Sequence, residues 1–451
     1  MNADDAFRAT GFFLYKDLAE KLKQDADVDE LDFLVVEPPP GLEAVLRRAT
    51  VPAANTSAAQ AAFAAFAEGK WMVMEEHKLG IPFWTIPPLF NFAQGLFFRV
   101  SERAAEPSAA GAVEADRMVD AYMEVVSRKV GALPDEKRGV VYRQELEQVT
   151  RVLTLLNGEY YAGWNARKRM LTDAGDGGAA ARAAGALDEL KFVELVFSKH
   201  PKSGEAWSHR RWVLTHLRGL CAGAGAEECA QAGADLDDTL VREFPVCQRA
   251  AEKYRKNYYA WTHRQWVLDQ LSPARRRAAA LAELDATQSW GSLHVSDYCG
   301  FHYRQVLLRL LNTVHDGGGG GGGDDDDDDD DDVVSTTTPG WADELRTTEE
   351  AMLRFPGHES LWQHRRFLFL HQCTLDDPNG GPDALAARFR AEQQFLRACL
   401  KRIDDDGGGG GGDVVASDLD EALAAAQVRF ATLYGSWLRL RAAELSVDLE
   451  G

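Results

Sequence analysis

Five stretches of this chain repeat one pattern, and that repetition limits the folds open to it. They are YYAGWNARKRML (160–171), SGEAWSHRRWVL (203–214), KNYYAWTHRQWVL (256–268), DYCGFHYRQVLL (297–308) and HESLWQHRRFLF (358–369). Each carries an aromatic residue, an Arg three places on, and an apolar residue seven places on. The aromatic–Arg pairs are Trp164/Arg167, Trp207/Arg210, Trp261/Arg264, Phe301/Arg304 and Trp362/Arg365. The apolar residues are Leu171, Leu214, Leu268, Leu308 and Phe369. On an α-helix these three positions share a face, so each copy presents one stripe. Amphipathic helical patterns at 145–156, 187–200 and 341–355 precede several copies. The unit is a helix–turn–helix of about forty residues, the period of helical repeat arrays. The expected fold is all-α: a right-handed α-α superhelix, or solenoid, of helical hairpins.

The Arg is the most informative member, because it recurs on an apolar stripe. A buried guanidinium is costly unless paired. It can stack on an aromatic ring and fork onto a carboxylate or onto helix-end carbonyls of a neighbouring helix. The set therefore reads as a register device between hairpins. His209, His263 and His364, each directly before the Arg, read as helix-packing donors and not as catalysts. An exposed base-stacking platform would need these aromatics in solvent. The formal net charge of −21 also argues against general nucleic-acid binding; the run Asp324–Asp332 carries nine of those charges and leaves −12 for the rest.

Repeats are expected over 116–442, after a poorly defined N-terminal extension at 1–115. Within 1–115, FRATGFFLYKDLAEKLKQ suggests a helix and LDFLVV (31–36) an extended piece. Gly/Asp inserts at 317–332 and 404–413 have the composition of disordered loops, and 174–185 and 221–235 look like milder versions. IPFWTIPPLFNFAQGLFF (81–98) is apolar, but Pro82, Pro87, Pro88, Asn91 and Gln94 interrupt it. It reads as a packed irregular segment or short helix, not as a membrane span. Six scattered Cys form no CxxC pair and no zinc-site spacing with His, so reduced thiols and no metal are expected on this chain. MNADDAFRATGFF has no secretory-leader pattern, and a cytoplasmic location is expected.

The repeat, with KNYYAWTHRQWVL its most typical copy, resembles those of protein prenyltransferase alpha subunits over roughly 145–370. PKSGEAWSHRRWVL and the long extension look more like a subgroup similar to the alpha subunit of a type III protein geranylgeranyltransferase. The resemblance implies a crescent of hairpins around a beta subunit, here the Rab-type geranylgeranyltransferase beta, which carries the zinc and the isoprenoid pocket. It implies transfer of geranylgeranyl from its diphosphate to a Cys of an acceptor protein. It also implies roles for Lys202 and Tyr258 at the diphosphate, with Lys256 and Asn257 in the same region. Departures are Ser203-Gly204 where the family has Asn-Tyr, Tyr259 where farnesyl-type chains often have His, and Phe301 for Trp. The alternative function is a non-catalytic α-solenoid scaffold for other proteins. A tetratricopeptide adaptor fits less well, since its W-x-x-L-G-x-x-Y pattern is missing.

Overall fold

The computed structural model describes residues 3–25, 27–38, 71–105, 117–173, 178–224, 235–312, 340–375, 382–408 and 418–447. The chain divides into two compact units, Met1–His263 and Arg264–Gly451. Helices dominate both, and the hairpin-repeat, all-α class expected from the sequence is observed.

The first unit opens with α1 (Ala3–Gln24), β1 (Glu30–Leu34), β2 (Val73–Glu75) and β3 (Lys78–Pro82). The sheet order is β1-β3-β2, with β1 parallel and β2 antiparallel to β3. Glu76 and His77 both take positive φ, 44° and 64°, as a two-residue hairpin loop of the primed type requires. The carboxylate of Asp17 on α1 accepts the backbone N–H groups of Trp71 and Met72 and ties the sheet to the helix. A 3-10 turn, Phe83–Thr85, leads into α2 (Ile86–Ala105).

α2 corrects the reading of 81–98 as irregular or short. It is a 20-residue helix. Pro87 and Pro88 lie in its first turn, where an N–H has no helical partner and a fixed φ is harmless. Leu89, Phe92, Ala93, Leu96, Phe97 and Val100 are buried on one side. They pack against α1 and against α4, introduced below. The approach to α1 is close: a Cβ on Gly11 would lie 2.2 Å from the Pro88 carbonyl oxygen.

Next come α3 (Arg117–Gly131), α4 (Asp135–Leu156) and α5 (Tyr161–Thr172), α6 (Ala179–Lys199) and α7 (Gly204–Ala224), then α8 (Leu236–Val241), α9 (Glu243–Lys253) and α10 (Tyr258–Gln270). The unit boundary falls inside α10. The second unit continues with α11 (Pro273–Ala286), α12 (Gln288–Leu293) and α13 (Tyr298–Asn312), α14 (Trp341–Arg354) and α15 (Glu359–Leu375), and α16 (Pro382–Gly408) and α17 (Asp418–Glu444). Among the described residues six hairpins result: α4–α5, α6–α7, α9–α10, α11/α12–α13, α14–α15 and α16–α17.

Two Ala/Gly-rich segments read as insert-like are partly helical. α6 begins at Ala179, and α7 runs to Ala224. Alanine favours helix most strongly, and here buried Ala179, Ala183 and Ala186 give it a packing face. The helix α16 also takes in 404–408 of the second Gly/Asp stretch. Residues 174–177, 225–234, 317–332 and 409–413 lie outside the described residues. Among the described residues, no helix is long and apolar enough to cross a membrane.

Candidate functional site

Each repeat Arg reaches forward to a Glu on the first helix of the next hairpin. Arg167 Nε and Nη2 donate to the two oxygens of Glu189, at 2.7 and 2.5 Å. Arg210 does the same to Glu243 at 2.5 and 2.8 Å. Arg264–Glu283 and Arg304–Glu344 repeat the fork, and Arg365 forks onto Glu392 at 2.5 and 2.8 Å. All ten side chains are buried. The third nitrogen is also used in several copies: Arg210 Nη1 donates to Leu190 O at 2.8 Å, and Arg304 Nη1 to Leu284 O at 2.7 Å. Such bidentate, charge-assisted pairs have strict geometry, so they fix how consecutive hairpins register.

The same Glu takes a third bond from the second helix of its own hairpin. His209 Nε2 lies 2.7 Å from Glu189, His263 Nε2 3.0 Å from Glu243, and His364 Nε2 2.7 Å from Glu344. The Tyr303 and Tyr434 hydroxyls stand in for His, donating to Glu283 and Glu392 at 2.7 and 2.6 Å. The preceding hairpin's aromatic leans on the imidazole: ring centroids are 4.7 Å apart for Trp164–His209, and 5.0 Å for Trp207–His263 and Phe301–His364. In these five Arg–Glu–His/Tyr joints the Arg links one hairpin to the next, and the His or Tyr links the two helices of one hairpin. The ends of the array follow the same logic. The first hairpin sends out Trp164 and Arg167, but it has Leu146 and Ala166 where later hairpins have Glu and His. The last hairpin keeps Glu392 and Tyr434, but it has Thr432 and Gly435 where others have the aromatic and the Arg.

Protonation within the joints sets a pH dependence. Burial pushes the Glu243 carboxyl up, but the Arg210 charge and the His263 and Arg210 bonds outweigh it and hold it at about 2. Glu344 is likewise held at about 2 by Arg304 and His364 against burial. Glu189 is held well below the carboxylate range by Arg167 and His209. Burial lowers His209 and His263, so each is neutral and donates from Nε2. A carboxyl depressed from 4.5 contributes stability above that pH and loses it as pH falls toward its folded value. A depressed His makes the unfolded chain the better proton acceptor below about pH 6.5. The urea midpoint is therefore expected to decline from about pH 7.5 to 5.5, and more steeply below about pH 4.5. A midpoint that holds or rises over that range contradicts this.

The turns entering the second helices form a second ladder. The Gly158 carbonyl accepts from its own hairpin's Trp164 Nε1 at 2.7 Å and from Ser203 Oγ of the next at 2.8 Å. The Pro201 carbonyl accepts from Trp207 Nε1 at 2.9 Å and from Asn257 Nδ2 at 2.7 Å. Ser360 Oγ reaches the Val295 carbonyl in the same way. Ser203 Oγ and Asn257 Oδ1 also accept Ala206 N and Ala260 N in the first turns of their helices. The Ser203 departure thus preserves the turn. Gly204 has its own reason: a Cβ there would lie 3.0 Å from the Tyr259 hydroxyl.

Lys202, Lys256 and Tyr258 stand on these neighbouring turns with exposed side chains. Lys202 Nζ sits 4.7 Å from the Tyr254 ring centroid. Tyr258 is 61% exposed, its ring edge-on to Tyr259 at 5.8 Å. Lys256 takes a positive φ of 56°. Asn257 is different: it is fully buried, and its amide is committed to Pro201 O, Ala250 O and Ala260 N. Its observed part is to hold the turn on which its neighbours stand. The sequence reading did not single out Tyr254, Arg211 or Glu159. Arg211 is half-buried, and Glu159 Oε1 accepts Gly204 N at 2.8 Å. Cationic and hydroxyl side chains thus stand in solvent on two neighbouring turns. A cleft of about 670 Å³ lies elsewhere in this unit, between residues 27–30, Lys78, α6 and α9. Five of its charged residues pair with one another: Arg249–Glu194 at 2.8 Å, Lys253–Glu30 at 3.3 Å and Lys78–Glu30 at 3.5 Å. Among the described residues, no group of three or more His, Cys, Asp or Glu is placed to hold a metal ion.

A family model described as protein prenyltransferase alpha subunit repeat matches residues 186–217, 240–271, 280–311 and 341–372. Those spans coincide with the four middle hairpins; the two end hairpins, which lack half of the joint, are outside the matches. The chain is 36% identical over 258 residues to protein prenyltransferase alpha subunit repeat-containing protein 1 of Danio rerio, covering 53% of this chain and 58% of that protein. Against the Homo sapiens protein of the same name it is 32% identical over 253 residues, covering 52% and 61%. It is 24% identical over 224 residues to geranylgeranyl transferase type-2 subunit alpha of Rattus norvegicus, covering 49% and 33%. The chain thus spans less than two thirds of the length of the relatives it matches.

Proposed function

Because the chain carries protein prenyltransferase alpha subunit repeats, we propose that it is the alpha half of a heterodimeric protein prenyltransferase, acting in the cytoplasm and transferring a geranylgeranyl group to a Cys of an acceptor protein. The observation that supports this reading is that Lys202 and Tyr258 both stand exposed on the turns entering consecutive second helices. The partner would be a Rab-type beta subunit, expected to hold the isoprenoid pocket and a zinc that would keep the acceptor's Cys as a thiolate. The thiolate sulfur bonds to the first carbon of the prenyl chain as the carbon–oxygen bond to diphosphate breaks. Negative charge grows on the departing diphosphate. The Lys202 ammonium and the Tyr258 hydroxyl are donors suited to that charge, and Lys256 adds a second cation. Donors aimed at a developing oxyanion stabilise the transition state more than the ground state.

One observation favours the second reading, a non-catalytic scaffold. The Glu159 carboxylate already sits on the first amide of α7, two residues from Lys202, where it would repel an incoming anion. The experiment that separates the two is co-expression with a Rab-type beta subunit, followed by an assay of lipid transfer from geranylgeranyl diphosphate to a Cys-bearing acceptor. Transfer above that of either subunit alone is expected. A stable complex without transfer would leave the scaffold reading standing.

A further inference from the structure

The last described helix, α17, exposes two leucines, one of them, Leu433, at a position where its counterparts carry polar residues. Counting from the joint's His or Tyr, Leu433 matches Asn165, Ser208, Thr262, His302 and Gln363. Leu440 matches Thr172, Thr215, Asp269, Arg309 and Leu370. Leu433 is 58% exposed and Leu440 67% exposed. With half-buried Phe430 and Trp437 they fall at i, i+3, i+7 and i+10, the a/d spacing of a helix seam. This stripe is not the side on which a seventh hairpin would stack. That side holds Thr432, Gly435 and Arg439, and it has lost the aromatic and the Arg that would reach forward. Phe430, Leu433 and Trp437 of this stripe line a groove of about 200 Å³ between α15 and α17, and Leu440 lies one turn beyond it.

We propose that this groove is a docking site for an amphipathic helix of a partner protein with acidic residues flanking its apolar seam. The seam spacing selects a helix, and the charge selects its flanks. In a chain of net charge −21, the groove is bordered by two Arg. Arg366 lies over the Trp437 ring at 4.6 Å, and Arg429 stands on the other flank of α17. Among the groove's described lining residues the single acid is Glu359, which already accepts the Tyr298 hydroxyl at 3.4 Å. A helix laid here buries Leu433 and Leu440 and brings its carboxylates to the two guanidiniums. The site does not depend on the turn-edge reading.

The test uses the full chain and two synthetic helical peptides with Leu at a and d, one with Glu and one with Lys at the flanking e and g positions. The Glu peptide is expected to bind about tenfold or more tightly than the Lys peptide, and less tightly as salt rises. Leu433→Glu and Leu440→Glu, at exposed positions and with unchanged circular dichroism, are expected to weaken it about tenfold or more each. The double variant Arg366→Glu/Arg429→Glu should reverse the preference toward the Lys peptide. Binding of neither peptide, equal binding of both, or binding indifferent to Leu433→Glu overturns the proposal. Self-association of the chain that Leu433→Glu abolishes also overturns it, by assigning the groove to a second copy.

Discussion

Replacing Glu243 by Ala is expected to remove about 3–5 kcal/mol of folding stability, the cost of stripping one partner from a buried ion pair. Glu243 is buried and accepts three bonds, two from Arg210 and one from His263. Without it, the Arg210 guanidinium stays charged in the core. It would keep only the Leu190 carbonyl and a 3.3 Å contact with the half-exposed Glu194. Glu243→Gln retains an acceptor but not the charge and should fall between. Exposed Glu252 on the same helix is the control, and its replacement by Ala should change stability by less than about 0.5 kcal/mol. Urea unfolding followed by circular dichroism measures all three. A Glu243→Ala loss no larger than the control's would show that the joints do not hold the hairpins together. The prediction concerns removal of one partner: a buried pair replaced whole by apolar residues can be neutral.

Lys202→Ala in the complex with a beta subunit is expected to slow prenyl transfer about 100-fold, the loss of roughly 3 kcal/mol seen when one oxyanion donor is removed. The side chain is exposed on its turn, so folding and complex formation should be unaffected. Tyr258→Phe keeps the ring and removes only the hydroxyl, and a smaller decrease of about tenfold is expected. Both effects should fall on the chemical step more than on substrate binding, because the charge they meet grows as the bond breaks. Unchanged single-turnover rates in both variants would remove these residues from the mechanism.

The stripe of Trp164, Arg167 and their counterparts was legible because its spacing recurs and because an Arg on an apolar face demands a partner. The partner was not legible. Glu189, Glu243, Glu283 and Glu344 lie on first helices whose surroundings differ from hairpin to hairpin. Their one regularity is a step of twenty residues to His209, His263, Tyr303 and His364. For Glu392 and Tyr434 the step is 42, because both helices of the last hairpin run further past the joint. Position rules misled in three places. Pro87 and Pro88 read as interruptions but occupy a first turn. The alanines at 179–184 read as part of an insert, but they are helical and Ala179 and Ala183 are buried. Ser203-Gly204 read as a loss, although Ser203 caps its helix and Gly204 seats Tyr259. The turn edge itself was reached only through family resemblance, since an exposed Lys and Tyr carry no periodic signal.

The most direct measurement is the mass of what the chain forms when co-expressed with a Rab-type beta subunit, read by sedimentation or light scattering on the purified material. A one-to-one complex that survives gel filtration, with the chain alone showing no transfer activity, is the result predicted here. Recovery of the chain by itself, with the beta subunit left behind, would contradict it.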